Sequence, residues 1–266
     1  LSGENGEIYI SGDTWASSID YNGYSHNIDA YSGYVMKLTN DGRMEWLHWV
    51  DGEDDMTIFF YLTERIDGGV VAVGFSEGSK ITLTNGTVIE LTGGNLRQGL
   101  GIALDEDGNL DWHSVFTGST WIKIEGAGTL LNGDIVINLR YNEADIYLNG
   151  DLIINDADQW AQDSLLRLDD DDGSPVWIST IDGDKHESGG RINIDSQGRI
   201  IWGIYSNSEE LLFGTEQIEL TGSYDIVIFT IDEDGNVMGH SIISTGDETD
   251  YLRCIINDGA GGVFIS

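Results

Sequence analysis

Proline and cysteine are nearly absent from this chain. Its 266 residues include one proline, Pro175, and one cysteine, Cys254. A single cysteine cannot form a disulfide within the chain, which excludes a fold held by a disulfide framework. The scarcity of proline, together with 36 glycines and frequent β-branched and aromatic residues, favours many short strands joined by tight turns.

Cationic residues are also scarce. The chain has 12 Lys and Arg against 47 Asp and Glu, which gives a net charge of −35. Nucleic acids and anionic membrane surfaces are bound through cationic contacts, so we expect neither as a partner. No apolar run reaches the roughly 18 residues of a membrane-spanning helix, so no membrane insertion is expected. The acidic surface indicates either solubility in a salty medium, where charge repulsion is screened, or capture of divalent cations or cationic partners.

Helical periodicity is missing, because no window keeps a 3.6-residue apolar period for three turns. The chain has an internal repeat instead. Its first element, a glycine followed by alternating apolar residues, occurs at 6–12, 69–74, 133–138 and 198–203, and in part at 262–266. Its second element is an apolar strand that runs into Asp-Gly and then into a further strand, at 34–46, 101–112, 165–177 and 226–238.

The Asp-Gly dipeptides mark hairpin turns. Glycine supplies the positive φ that such a turn needs, and the aspartate caps it. These glycines recur every 62 to 66 residues, at Gly42, Gly108, Gly173 and Gly235. One position in the strand after the turn carries Trp46, Trp112 and Trp177, and Gly239 in the last repeat. We expect these tryptophans to pack between neighbouring sheets.

Each unit contains four main strands, expected in the last unit at about 190–195, 199–204, 225–232 and 236–243. A shorter extra hairpin lies between the second and third strands, at 81–91, 146–154 and 212–220, and in degenerate form at 19–28. Four antiparallel strands per repeat are typical of a propeller blade. A β-solenoid is the competing fold, although its coils usually repeat at roughly 20–30 residues.

We therefore predict an all-β fold, a β-propeller of about four tandem four-stranded blades, over a single domain at 1–266. The repeats are expected at about 6–67, 68–132, 133–197 and 198–260, with a partial fifth at 261–266. Because the second-strand element returns at 262–266, an excerpt from a larger ring fits the sequence better than a closed four-bladed ring. Self-association to complete a ring is a further hypothesis.

Three motifs link the repeat to a known family. They are the Gly-x-Ile-x-Val-x-Gly strand, the Phe-Gly or Asn-Gly turn, and the segment Tyr-Asp-Ile-Val-Ile-Phe-Thr-Ile-Asp-Glu-Asp-Gly-Asn at 224–236. In this order they resemble the bacterial and archaeal SBBP-type β-propeller repeat, over essentially the whole chain. The resemblance implies a propeller in a large secreted or surface-attached protein, and hence an extracellular or cell-surface location. It carries over no catalytic residues, and such propellers often have more than four repeats.

The acidic turns are candidate calcium loops, because Ca²⁺ takes six to eight oxygen ligands. The candidate ligands are Asp105, Asp107, Asp169, Asp170, Asp171, Asp172, Asp232 and Asp234. The 169–172 cluster is the strongest candidate, because four adjacent carboxylates repel one another unless they are solvated or neutralised. None of the turns has the full calcium-loop pattern, and turn formation alone explains these residues. No cofactor is required, and Ca²⁺ is the one that the turns would suit.

Aromatic residues outside the repeat positions are candidate ligand-binding residues. They are Trp15, Tyr24, Trp121 and Trp160, with Tyr21 and Tyr31 in the same loop as the first two. Exposed rings beside Asp, Asn and Gln can stack on sugars and hydrogen-bond their hydroxyl groups. The alternative is that these rings cover the extra hairpins and extend the core.

The sequence has no Gly-x-Ser-x-Gly elbow, glycine-rich phosphate loop or histidine pair at zinc spacing. We therefore expect a non-enzymatic surface or secreted module that binds a glycan or a protein, or presents other domains. A polysaccharide hydrolase or lyase on the same scaffold is the alternative from another class, since its carboxylate pair cannot be selected from sequence. A structural array without a ligand is the third hypothesis.

Overall fold

The computed structural model of the chain consists of β-strands, turns and loops. It describes residues 1–3, 6–15, 18–21, 24–27, 31–51, 56–91, 96–142, 145–155, 161–221, 223–244, 249–258 and 262–266. Helices are absent from these ranges, and the strands form several antiparallel sheets. The predicted all-β class is therefore confirmed. None of the sheets closes on itself within the described ranges, and the propeller architecture stays a prediction.

Twenty-five strands are described. The first twelve are β1 (Ile8–Thr14), β2 (Ser18–Tyr21), β3 (Tyr24–Asn27), β4 (Ser32–Leu38), β5 (Met44–Asp51), β6 (Thr57–Glu64), β7 (Val70–Ser76), β8 (Lys80–Leu83), β9 (Val88–Glu90), β10 (Gln98–Leu104), β11 (Leu110–Thr117) and β12 (Ile122–Thr129). They are followed by β13 (Ile135–Asn142), β14 (Ile146–Leu148), β15 (Asp151–Ile154), β16 (Ala161–Leu168), β17 (Pro175–Gly183), β18 (Glu187–Ile194), β19 (Ile200–Ser206), β20 (Glu210–Phe213), β21 (Glu216–Glu219), β22 (Asp225–Ile231), β23 (Val237–Ile243), β24 (Ile255–Asn257) and β25 (Val263–Ile265). In the last unit β18, β19, β22 and β23 confirm the four predicted strands.

The chain divides into two compact units. The first comprises Leu1–Ile124, Ala144–Asp156 and Asp171–Gly173. It contains a five-stranded sheet in the order β1-β4-β5-β8-β9, a six-stranded sheet in the order β15-β14-β11-β10-β7-β6, and the separate hairpin β2-β3. Its main core contains aliphatic residues from both larger sheets, together with Tyr9 and Phe59.

The second unit comprises Glu125–Glu143, Ala157–Asp170 and Ser174–Ser266. Its sheets have the orders β12-β13-β16-β17-β20-β21 and β18-β19-β22-β23, and β24-β25 forms a separate pair. The core of this unit is centred on three aromatic rings in mutual contact, those of Trp202, Phe213 and Phe229.

The predicted extra hairpins are confirmed as β2-β3, β8-β9, β14-β15 and β20-β21. The last three add to the outer edge of the sheet built by the preceding repeat, on β5, β11 and β17 respectively. Apolar residues face each other at the junction, since Val50 pairs with Leu83, Phe116 with Leu148 and Ile181 with Phe213. A hairpin from one repeat therefore completes the sheet of its predecessor.

The tryptophan column packs against the Asp-Gly turn of the following repeat, as expected. The Trp46 ring lies against Gly108 and that of Trp112 against Gly173 in the first unit, and Trp177 lies against Gly235 in the second. These turn glycines have φ between 70° and 84°, a region that favours glycine. A Cβ added at Gly173 would also lie 2.6 Å from the Trp112 ring, so the turn needs glycine for both reasons.

Candidate functional site

The most exposed tryptophan for which a side chain is described lies where two paired strands end. Strands β1 and β4 are antiparallel, and their terminal pair is Thr14 with Ser32. Trp15 follows β1 and Tyr31 precedes β4, so these two residues occupy the next position along the ladder. Residues opposite each other on an antiparallel ladder have neighbouring side chains. Strand pairing therefore places the two rings together.

The two rings form a stacked pair, which we call the aromatic platform and define as Trp15, Tyr31 and Asp13. The ring centroids of Trp15 and Tyr31 are 4.0 Å apart and the ring planes differ by 20°. The Tyr31 hydroxyl donates a hydrogen bond of 2.5 Å to Oδ2 of Asp13. Burial, this hydrogen bond and the Asp13 charge raise the pKa of Tyr31, so it stays a hydroxyl donor at neutral pH. Tyr31 and Asp13 thus hold one face of an indole ring that is 80% exposed.

The repeat pattern does not require a tryptophan at this position. The equivalent residues, seven after the first residue of the second main strand, are Glu77, Asn142 and Asn207 in the other repeats. Trp15 also lies outside the core clusters of the described residues. Because exposing a large aromatic surface costs free energy that burial would recover, such a ring is a candidate for ligand contact.

The other predicted aromatic residues have different surroundings. Trp121 directly precedes β12 and is half-buried, with the Lys123 Nζ 5.4 Å from its ring centroid. Trp160 lies outside the described residues, and so does the side chain of Tyr24, whose backbone belongs to β3. Tyr21 packs against a small core cluster and donates a hydrogen bond to the Gly42 carbonyl. Among the predicted aromatic residues, the structure brings together only Trp15 and Tyr31 in the ranges that it describes.

The predicted calcium ligands Asp105 and Asp232 act as caps of their own turns. Asp105 accepts hydrogen bonds from the backbone N–H and the side-chain amide of Asn109. Asp232 accepts the same two from Asn236, and a further backbone one from Asp234. Burial raises the pKa of Asp105, but the hydrogen bonds outweigh it and lower that pKa overall. This is the turn chemistry that the Asp-Gly pattern predicts.

The remaining acidic candidates lie in the same turns. Asp107 and Asp234 are exposed, and so are Asp171 and Asp172, whereas Asp169 and Asp170 are half-buried. No group of three or more His, Cys, Asp or Glu side chains is arranged to hold a metal ion in the part of the chain that the structure describes. The calcium site stays a prediction.

The second unit contains a buried carboxylate that sequence reasoning missed. Asp163 on β16 is fully buried, and its Oδ1 accepts a 2.6 Å hydrogen bond from the amide of Asn138 on β13. The Asn138 Oδ1 in turn accepts a 2.8 Å hydrogen bond from Nε1 of Trp202 on β19. Burial raises the pKa of Asp163 to about 7; Glu125 adds to the rise, and Arg140 and Arg191 oppose it.

A raised carboxyl pKa is a feature of general acids, but the position of Asp163 excludes that role in this structure. None of its surface is accessible, whereas a general acid must reach the group that it protonates. Comparing the repeats could have singled out this residue. The position five before the end of the third main strand carries Gly33, Gly99 and Ile226 elsewhere and Asp163 only in the third repeat.

Three tyrosines of the second unit form another aromatic group near its surface. The Tyr251 ring makes an edge contact with Tyr205 at 5.2 Å and stacks on Tyr224 at 6.3 Å between centroids. Tyr205 accepts a hydrogen bond from Ser188, and the Arg253 guanidinium lies over the Tyr251 ring. These rings cover one another, and Tyr251 alone of the three is classed as exposed. Tyr224 belongs to the motif of the fourth repeat, while Tyr205 and Tyr251 had no sequence signal.

Comparisons with known proteins give little further information. No protein-family model matches the sequence, and no curated protein matches it either. Among solved structures, the chain is similar to a protein of unknown function from Bacteroides caccae, with 8% identity and a TM-score of 0.42 over 87% of this chain and 78% of the other. That similarity says nothing about function. The described residues include no helix of the length and apolarity needed to cross a membrane.

Proposed function

We propose that this chain is a glycan-binding module of a secreted or surface protein, and that it binds sugars on the aromatic platform. Its sheets are proposed to be the blades of a propeller of the SBBP type. The observation that carries the proposal is the exposed Trp15 ring, stacked on Tyr31 and held by Asp13.

The platform has the two features that sugar recognition uses. An aromatic face packs against the C–H groups of a pyranose ring, and nearby oxygen atoms accept hydrogen bonds from the hydroxyl groups. Here the indole supplies the apolar face, and the exposed Asp13 carboxylate supplies oxygen atoms. A ring that is already stacked loses little conformational freedom on binding, which favours affinity.

The net charge narrows the ligand class. With −35 on the chain, an anionic polysaccharide would be repelled at low ionic strength. Neutral or cationic glycans are therefore proposed in preference to sulfated or uronic-acid polymers. Binding needs no metal in this scheme, because the contacts come from Trp15, Tyr31 and Asp13.

A polysaccharide panel tests the proposal. We expect the full chain to be retained on a neutral glycan, equally with calcium and with chelator, and to release no sugar. Trp15→Ala should weaken binding about tenfold or more, because stacking and buried apolar area are lost together. Tyr31→Phe should have a smaller effect, since the ring remains and only the hydrogen bond to Asp13 is lost.

Tyr251→Ala is the matched control, because it removes an exposed, stacked aromatic ring from the second unit. It should leave binding unchanged. Equal loss of binding in Tyr251→Ala and Trp15→Ala would contradict the assignment to the platform. Release of sugars would favour the hydrolase or lyase alternative instead, and loss of binding in chelator would revive the calcium hypothesis.

A further inference from the structure

Strand β23 lies at the edge of its sheet, unlike its counterparts in the other repeats. Strands β5, β11 and β17 each carry a hairpin on their outer side, whereas the sheet order β18-β19-β22-β23 ends at β23 within the described residues. An edge strand presents backbone groups that can pair with another strand. The question is which strand would fit there.

One repeat position reports directly on the hairpin. Four residues after the tryptophan position stand Val50, Phe116 and Ile181, all fully buried under the hairpins that pair with them. The equivalent residue of β23 is Ile243, which is 39% exposed. Its neighbours Ile242 and Met238 are exposed as well. This apolar edge has the chemistry of the three covered edges and lacks their cover in the described residues.

The covered edges also fix the contact that an incoming hairpin makes. At the residue before the buried apolar one, the backbone N–H of Trp49 donates to the hydroxyl of Thr84, at 2.7 Å. In the next repeat the N–H of Val115 donates to the side-chain oxygen of Asn149, at 2.9 Å. Both acceptors directly follow the first strand of the hairpin, so they set its register. The equivalent donor on β23 is the N–H of Ile242.

We propose that the edge of β23 is a docking site for a β-hairpin supplied by a partner and built on the pattern of this chain's own hairpins. Such a hairpin has an apolar residue that packs on Ile243, followed by Thr or Asn that accepts from the Ile242 N–H. Addition of a strand to a sheet edge gives affinity through the main chain and specificity through alternate side chains.

A hairpin from a second copy of this chain fits the observations less well. Strands β8-β9, β14-β15 and β20-β21 are already paired with sheets of their own chain. In β2-β3, Tyr21 occupies the position of the packing residue, but it lies against a core cluster and donates to the Gly42 carbonyl. The strong negative charge of both copies adds repulsion.

A peptide with the sequence of residues 79–91 is a suitable probe. It contains the complete hairpin β8-β9, and its Lys80 and Glu90 balance, so the acidic chain does not repel it. We expect saturable binding of the labelled, end-capped peptide to the full chain by fluorescence anisotropy. The host variant Ile243→Asp should weaken binding about tenfold or more, because it places a charge at the apolar junction.

Two controls separate docking in register from general adhesion. Ile256→Asp makes the same change at an exposed isoleucine of the same unit, and should leave binding intact. A peptide with Thr84→Val keeps its shape but cannot accept the Ile242 N–H, and should bind about fivefold more weakly. This peptide test needs no variant of the chain, so it holds even if Ile243→Asp fails to fold.

Three results would overturn the proposal. They are no saturable binding of the peptide, equal binding by the chain and Ile243→Asp, and equal binding of the native and Thr84→Val peptides. A chain that dimerises through this edge, with dimers that Ile243→Asp dissociates and no peptide binding, would assign the site to a second copy instead.

Discussion

The buried Asp163 should make the protein less stable at neutral pH than at acid pH, and Asp163→Asn should remove that effect. Asparagine has nearly the shape of a protonated aspartic acid and keeps an oxygen to accept from Asn138. The variant therefore mimics the neutral carboxyl at every pH. Arg140 keeps a carboxylate partner in the variant, because its Nη1 lies 3.6 Å from Oε2 of Glu125.

The size of the effect follows from the pKa of Asp163, which burial raises from 3.8 to about 7. A group whose folded-state pKa is raised binds its proton more tightly in the folded protein, so stability falls with rising pH between the unfolded and folded pKa values. From pH 5 to a pKa near 7 is about two pH units, each about 1.4 kcal/mol. The advantage of Asp163→Asn should therefore grow by about 3 kcal/mol between pH 5 and pH 8.

Chemical denaturation of both proteins at pH 5 and pH 8 measures this difference. Asp195→Asn is the matched control, since Asp195 is also a buried carboxylate of the second unit. Burial raises the pKa of Asp195, but hydrogen bonds from Arg199 and Gln197 outweigh it and lower that pKa. Its stabilising effect is lost only below pH 4, so the cost of Asp195→Asn should be constant between pH 5 and pH 8. An equally constant effect of Asp163→Asn would refute the reasoning.

Three further outcomes are expected from thermal or chemical unfolding. Gly173→Ala should cost about 1–2 kcal/mol more than Gly42→Ala, because both turns have positive φ but only at Gly173 would the new Cβ meet a ring, that of Trp112; equal costs would contradict the packing argument. Lys37→Met should cost only about 1–2 kcal/mol although Lys37 is buried, because its partner Glu45 is solvated; a loss above about 4 kcal/mol would show that the ion pair is essential. Raising the salt concentration should increase Tm, since it screens the repulsion within a chain of net charge −35; a Tm that falls with salt would contradict this.

The local part of the fold could be predicted from sequence. Turn glycines and alternating apolar residues are local signals, and they located strands such as β22 and β23 and the three extra hairpins. The sheet to which each hairpin adds could not be predicted, because the pairing of β20 with β17 joins segments about 30 residues apart and depends on the register of both repeats. The tryptophan column was predicted because its spacing repeats.

The candidate site was predicted only in part. The composition of the first loop indicated Trp15, but its contact with Tyr31 depends on the pairing of β1 with β4. Asp163 was missed because one carboxylate among 47 Asp and Glu has no local signature. Its burial arises only when β13 and β16 pair and Trp202 packs beside them.

The most direct test of the proposed function is ¹⁹F NMR of the chain labelled with 5-fluorotryptophan. The chain has 8 tryptophans, and Trp15→Phe assigns the resonance of Trp15. When a glycan that the panel retains is added, we predict a saturable shift of the Trp15 resonance while the buried Trp112 and Trp202 stay unchanged. A shift at other tryptophans with Trp15 unmoved would contradict binding on the platform.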